Sequence, residues 1–367
     1  MRLWNMNPGP SVLPEEVLEQ AAAEMMEYDH SGMGPMELSH REEYFDGIIF
    51  RCEELLRELL HIPDNYKVLY MTGGATAQFS CVPLNLRRSG KADYILSGVW
   101  SELAMNEAKK YMDIAVPAST LENGYKSIPH VSKDMIRQDA DYVYICANNT
   151  DQGTMFQDGN YPECGDVPLV ADMTSIIMSQ EIDVSRYGVI FAGAQKNLGC
   201  TGVTIGIIRE DLIKDTDPRV PILYQYKTYS ENESMYNTPP TYSIYIHKLH
   251  LEWMKRHGGL KKMAEESHIK ANKIYDFIDK SSIFTCPIQK PDRSVTNIVF
   301  NGKSLALEDK FLDEAQKAGF LGIRGFWRYD RTDKRSVGIR MSLYNAFPMK
   351  GVDAFVDFLK DFEAKNA

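Results

Sequence analysis

The segment Phe191-Ala-Gly-Ala-Gln-Lys-Asn-Leu-Gly199 places one lysine, Lys196, in a tight turn directly after a run of strand-forming residues. Residues 187–192 are β-branched or aromatic and bounded by glycine, so they predict a buried strand. The ligand crevice of an open α/β sheet lies outside such strand ends. An amine stripped of water favours its neutral, nucleophilic form, whereas a lysine on a solvated helix stays an inert ammonium. Lys196 is therefore the candidate nucleophile, set against the plain alternative of a surface charge in a loop.

A second strand-like run, residues 167–172, ends in an acid, Asp172, 24 residues before Lys196. A lysine and an acid at neighbouring strand ends are the two groups that pyridoxal phosphate requires. The lysine holds the aldehyde as a Schiff base, and the acid keeps the pyridine nitrogen protonated as an electron sink. The same pair would also serve as a structural salt bridge.

Several elements must position this chemistry. A predicted strand at residues 67–71 leads into Thr72-Gly-Gly-Ala-Thr-Ala-Gln-Phe79, a glycine turn opening a helix. Glycines let the backbone approach a phosphate closely, the amides of Ala75 and Thr76 point at it, and the helix dipole favours the negative charge. The segment fits neither the nucleotide-triphosphate loop nor the dinucleotide fingerprint. Strands at 92–97, 142–147 and 202–208 alternate with helices at 15–28, 43–60 and 100–111, which predicts an α/β fold with a mostly parallel sheet. Trp100 follows a strand and offers a face for stacking on a flat ring, or packs in the core. Thr150 offers a hydroxyl at another strand end. His40 and Arg41, just before a helix, suit an anion, although such a dipeptide is ordinarily surface.

Length, composition and charge bound the rest. The chain has 367 residues, 44% hydrophobic and 25% charged, with a net charge of -10. Nucleic acid or an anionic membrane surface is thereby an unfavourable partner, and no apolar run reaches the length of a membrane span. The N-terminus meets Pro8-Gly9-Pro10 without an apolar stretch, so a cytoplasmic protein is expected. Six scattered cysteines support neither a disulfide framework nor a zinc site, and no metal is expected. His247 and His250 lie three apart on a predicted helix without a third ligand and read as structural. We expect an N-terminal arm at 1–14, a large domain at 15–257, and a small C-terminal domain at 258–367 entered through Gly258-Gly259. Within the small domain, residues 324–340 hold Arg324, Arg328, Arg331, Lys334, Arg335 and Arg340 against Asp330 and Asp333, a local net charge of +4. Arginines bind carboxylate and phosphate bidentately, so this segment is a candidate anion site.

Taken together, the motifs resemble the phosphoserine aminotransferase family, class-V aminotransferases of fold type I that use pyridoxal phosphate. The resemblance runs nearly end to end. It is carried by Asn7-Pro-Gly-Pro10, Glu37-Leu-Ser-His-Arg41, the segment 72–79, Ala171-Asp172 with Thr174, Ile182-Asp-Val-Ser-Arg-Tyr-Gly188, Ala192-Gly-Ala-Gln-Lys-Asn197, Met235-Tyr-Asn-Thr-Pro-Pro240 and Ser342-Leu-Tyr-Asn-Ala346. It implies that Lys196 carries the Schiff base, Asp172 pairs with the pyridinium, Trp100 stacks on the ring and Thr150 bonds near the ring oxygen. Ala75, Thr76 and Gln195 would hold the cofactor phosphate, with Asn237 and Thr238 supplied by the partner of a homodimer. Arg340 would bind the substrate carboxylate, and His40 and Arg41 the distal anionic group.

The implied reaction is a ping-pong transamination between L-glutamate and 3-phosphohydroxypyruvate, in serine biosynthesis. One departure stands out. Where the family shows a Gly-His-Arg run before Ser-Val-Gly-Gly, this chain has Asp333-Lys-Arg-Ser-Val-Gly338, with one glycine fewer and an insertion around 326–330. Lys334 supplies a point charge in place of an imidazole, and with Arg335 it would face the phosphate. An aminotransferase of another small 2-oxo acid is the alternative within the same chemistry. A non-catalytic binding protein is disfavoured by the presence of both Lys196 and Asp172.

Overall fold

The computed structural model describes residues 2–157, 159–326 and 337–367. Its larger sheet has seven strands: β1 (Tyr66–Thr72), β2 (Lys91–Tyr94), β3 (Asp113–Ala115), β4 (Val143–Cys146), β5 (Leu169–Asp172), β6 (Val189–Gly193) and β7 (Val203–Arg209). Their spatial order is β1-β7-β6-β5-β4-β2-β3. The pairs from β6 through β3 are parallel, and β7 runs antiparallel to both β6 and β1. The expected mostly parallel α/β sheet is thus present.

Continuous apolar runs make these strands because both faces of the sheet are covered. Along β1, Val68 and Tyr70 pack into one cluster while Leu69 and Met71 pack into the other. Along β6, Ile190 and Ala192 face the first cluster and Val189 and Phe191 the second. Helices α1 (Glu15–Ala23) and α2 (Glu43–Leu60) belong to the first side, and α3 (Gln78–Leu86) and α4 (Val99–Ala108) to the second. In α2 the buried positions Phe45, Ile48, Ile49, Cys52, Leu55, Leu56 and Leu59 recur at helical spacing. That stripe lies against α5 (Thr241–Arg256), which starts after Pro239-Pro240 as the sequence suggests.

The smaller sheet comprises β8 (Phe284–Thr285), β9 (Asn297–Gly302), β10 (Arg324–Phe326) and β11 (Val337–Ser342) in the order β8-β9-β11-β10, all antiparallel. It is accompanied by α6 (Gly259–Ile278), α7 (Leu305–Lys317) and α8 (Met349–Asn366). Its core is aromatic: the Phe311 ring lies 5.1 Å from both Phe284 and Phe362, centroid to centroid.

One expectation needs adjustment. Helix α1 stops at Ala23 rather than near Tyr28, because the Tyr28 amide bonds to the Met33 carbonyl and closes a loop with Asp29 and His30 in left-handed geometry. The N-terminal segment is tied down on both sides: Trp4–Asn5 pairs with Phe320–Leu321, and the Ser11 amide bonds to the Gln195 carbonyl.

Candidate active site

Four strand ends of the larger sheet and one strand of the smaller one converge on a cavity of about 280 Å³. Adjacent parallel strands β5 and β6 deliver Asp172 and Lys196 to it. The Lys196 Nζ donates to Thr150 Oγ1 at 2.7 Å, so the amine is held by a neutral acceptor. Thr150 follows β4 and is buried.

Asp172 is buried and accepts the Thr174 amide at 2.9 Å. Among the described residues it forms no ion pair. Burial pushes its carboxyl above the usual range, while the Thr174 hydrogen bonds and the nearby Lys196 charge act in the opposite direction. A buried carboxylate without a bonded cation, facing a cavity, is chemically suited to a cationic ligand atom.

At the end of β1, Gly73 adopts φ +103° and Gly74 faces open space, with no atom within 4 Å of the point where a Cβ would stand. A single 3-10 turn at Ala75–Ala77 then runs into α3, so the backbone amides of Ala75 and Thr76 open a helical segment beside the cavity. Gln195 lines the same space. The glycine turn and helix start that the sequence reads as an anion cup thus stand at the cavity wall.

Trp100, at the start of α4, lines the cavity, and its indole Nε1 donates to Asp151 Oδ2 at 2.8 Å. The other Asp151 oxygen accepts from Arg340 Nη1 on β11. One nitrogen of the guanidinium is thus occupied, and its buried Nε is left without a partner among the described residues.

The N-terminal segment closes one wall. Gly9, at φ +139°, packs so tightly that a Cβ there would lie 3.1 Å from Lys196 Cγ and 3.3 Å from Cε. Ser11 Oγ donates to the Lys196 carbonyl at 2.5 Å. Behind the lysine, Asn197 Nδ2 bonds to the Ile177 carbonyl and to Ser179 Oγ, and its Oδ1 accepts the Asn345 amide.

The cavity therefore gathers Ala75, Thr76, Trp100, Thr150, Asp172, Gln195, Lys196 and Arg340. It does not include His40, Arg41, Asn237 or Thr238, which lie elsewhere on this chain. Arg41 Nη2 reaches the Tyr236 carbonyl at 3.4 Å, so these two pairs neighbour each other. His40 Nε2 and Asn237 Oδ1 are both buried without a hydrogen-bond partner among the described residues. Burial and the adjacent Arg41 charge hold the His40 ring below its usual pKa. Lys334, Arg335 and the insertion at 326–330 lie outside the described residues, apart from the backbone of Phe326. His247 and His250 are buried, which pushes their pKa values down to about 4 and about 3, and His247 Nδ1 meets the Leu198 carbonyl at 2.6 Å.

Sequence reasoning missed Asp151 and Ser11, and named Asn345 only within the motif 342–346, without a role. No local spacing signals Asp151, whose partners Trp100 and Arg340 lie 51 and 189 residues away.

The family Aminotransferase class-V matches residues 3–355. A phosphoserine aminotransferase from Bacillus cereus is 45% identical over 367 residues, covering 100% of this chain and 99% of the relative. A phosphoserine aminotransferase structure from Bacillus circulans subsp. alkalophilus superposes with a TM-score of 0.94 at 36% identity, covering 100% of this chain and 99% of the other. A pyridoxal-phosphate-bound phosphoserine aminotransferase from Trichomonas vaginalis gives 0.90 at 34% identity, covering 98% and 100%.

Proposed function

Because the chain belongs to the class-V aminotransferases and, among them, to the phosphoserine aminotransferases, we propose that it transfers the amino group of L-glutamate to 3-phosphohydroxypyruvate. The products are O-phospho-L-serine and 2-oxoglutarate, and the carrier is pyridoxal 5'-phosphate. The observation that carries this reading is the pair Lys196 and Asp172 on adjacent strand ends of one cavity, the acid buried and free of ion pairs among the described residues.

The residues fit the cofactor. Asp172 would hold a proton at the ring nitrogen, Trp100 would cover one ring face and exclude water, and the Ala75 and Thr76 amides with Gln195 would hold the phosphate. When bound, pyridoxal phosphate supplies the electron sink that accepts the pair left behind when the Cα proton departs. Lys196 Nζ is the base that would take up this Cα proton and hold it, and Thr150 Oγ1, its hydrogen-bond partner, would orient the amine. Arg340, which lines the cavity, would hold the substrate carboxylate and fix which Cα bond faces Lys196. Glutamate and the oxo acid use this space in turn, hence ping-pong kinetics.

His40, Arg41, Asn237 and Thr238 lie outside the cavity of their own chain, and His40 and Asn237 carry unpartnered polar atoms. Met36, Tyr44 and Tyr236, close to them in sequence, are exposed. These features support a homodimer in which each copy lends His40, Arg41, Asn237 and Thr238 to its partner's site. Lys334 and Arg335 would add charge opposite the substrate phosphate. We further read residues 1–14 as an arm, 15–257 as the large domain and 258–367 as the small one. We take the enzyme to be cytoplasmic. Among the described residues no helix is long and apolar enough to cross a membrane.

The test is steady-state amination by glutamate of 3-phosphohydroxypyruvate, hydroxypyruvate and pyruvate in parallel, with Lys196→Ala as control. A preference for the phosphorylated acid of about a hundredfold or more, abolished in the control, supports the assignment. Equal use of the unphosphorylated acids would transfer it to another small 2-oxo acid.

A further inference from the structure

We propose that Asp151 is a positioning residue that sets the Trp100 ring and the Arg340 guanidinium in one fixed arrangement, coupling the ring-stacking wall of the site to its carboxylate-binding wall. The inference rests on the functional reading above and extends it to a residue that the reading does not use.

The geometry is specific. Asp151 is buried, and its two oxygens serve two different partners: Oδ2 accepts the Trp100 indole N–H at 2.8 Å, and Oδ1 accepts Arg340 Nη1. Trp100 belongs to the larger sheet's side of the molecule and Arg340 to β11 of the smaller sheet, 189 residues from Asp151 in sequence. The carboxylate therefore spans the two sheets at the cavity wall. Its own place is secured by the turn that follows: Gly153, at φ +74°, sits so close to β9 that a Cβ would lie 2.7 Å from Val299 Cγ2. Its amide bonds back to the Asn149 carbonyl, and its carbonyl accepts the Ser294 amide. Val299 is the register partner of Arg340. The loop that bears Asp151 is thus pressed against the strand neighbouring the arginine it holds.

Two consequences follow from charge and directionality. A guanidinium buried to this degree needs a partner before substrate arrives, and Asp151 supplies it through Nη1. Substrate carboxylate then meets an arginine already aimed, so less ordering accompanies binding. The indole is anchored by the same carboxylate, so rotation of either side chain disturbs the other.

The experiment compares wild type, Asp151→Ala and Asp151→Asn, with Trp100→Phe as a spectroscopic reference. Affinity for glutarate, a dicarboxylate lacking the amino group, is measured by calorimetry on the cofactor-loaded protein. KM and kcat for glutamate are measured alongside, and tryptophan emission is recorded on the cofactor-free protein. We expect Asp151→Ala to raise the glutarate Kd and the glutamate KM about tenfold or more, the effect of one charge-assisted hydrogen bond, with kcat changing less than threefold. Asp151→Asn, which keeps an oxygen acceptor, should recover part of that loss. The emission assigned to Trp100 by difference against Trp100→Phe should change in Asp151→Ala.

An unchanged Kd overturns the proposal. A tighter one does too, because it would make Asp151 a competitor of substrate for Arg340. If the alanine variant does not fold, Asp151→Asn decides alone: a Kd raised threefold or more supports positioning, and an unchanged or lower one refutes it. A wild type that takes no nitrogen from glutamate removes the functional reading and this proposal with it, whereas an active wild type with indifferent variants removes only the proposal.

Discussion

Replacing Gly9 with alanine should damage catalysis by displacing the nucleophile from a distance of two side-chain atoms. The backbone at Gly9 has φ +139°, a region that side-chain-bearing residues rarely adopt. Holding alanine there costs about 1–3 kcal/mol. The new methyl would lie 3.1 Å from Lys196 Cγ and 3.3 Å from Cε, whereas carbon atoms in contact normally sit about 3.5–4.0 Å apart. The lysine stem must therefore retreat by roughly half an ångström, against an amine that is held to Thr150 at 2.7 Å. Displacements of this order in a reacting group reduce rates by about 10- to 100-fold.

A control separates strain from displacement. Gly32 has φ +72° and nothing within 4 Å of an added Cβ, so Gly32→Ala introduces backbone strain without touching the lysine. Both variants should lose a few degrees of melting temperature, and only Gly9→Ala should lose kcat, measured as phosphoserine formed per unit time. The reasoning is refuted if Gly9→Ala keeps kcat within twofold of wild type while melting like Gly32→Ala.

Three further outcomes are expected. Because burial raises the Asp172 carboxyl, the stability it contributes to the cofactor-free protein is present below the usual carboxylate range and is lost as pH rises through the elevated value. Cofactor-free Asp172→Asn should therefore melt higher than wild type at pH 7 and alike at pH 4 in thermal scans, while its amination rate collapses. Thr150→Val removes the acceptor of the Lys196 amine with little change in volume and should lower kcat/KM about tenfold at an unchanged circular dichroism spectrum. Asn345→Ala strips partners from the Met178 carbonyl, Ser179 and Ser267, and should cost about 2–4 kcal/mol, read as a lower urea midpoint.

Where the chain buries both faces of a strand, the apolar runs are unbroken and the sequence is easy to read. Strands β1, β4, β5, β6 and β7 fall where the runs fall, and Asp172 and Lys196 stand out because polar groups end two of them. Strand β3 is a three-residue edge strand without a buried run, and β8 has two residues, so neither leaves a pattern. Helix α1 reads too long because its periodicity continues past Ala23, while a loop bond at Tyr28 decides the boundary. Asp151 was illegible for a different reason. Its role comes from Arg340 and Trp100, which the fold brings together across both sheets, and no local spacing records that meeting. Asn237 and Thr238, expected from the partner, and His40 and Arg41, expected at the substrate's distal anionic group, are recognisable only by motif, since their own chain keeps all four out of its cavity.

The most direct test of the central roles of Lys196 and Asp172 is nitrogen transfer in two separated stages. Cofactor-loaded protein is incubated with 15N-glutamate alone, freed of small molecules by gel filtration, and then given 3-phosphohydroxypyruvate. The expected result is close to one equivalent of 15N-phosphoserine per active site, none from Lys196→Ala, and little product when hydroxypyruvate replaces the phosphorylated acid. Protein that emerges from the first stage without transferable 15N would contradict the roles assigned to both residues.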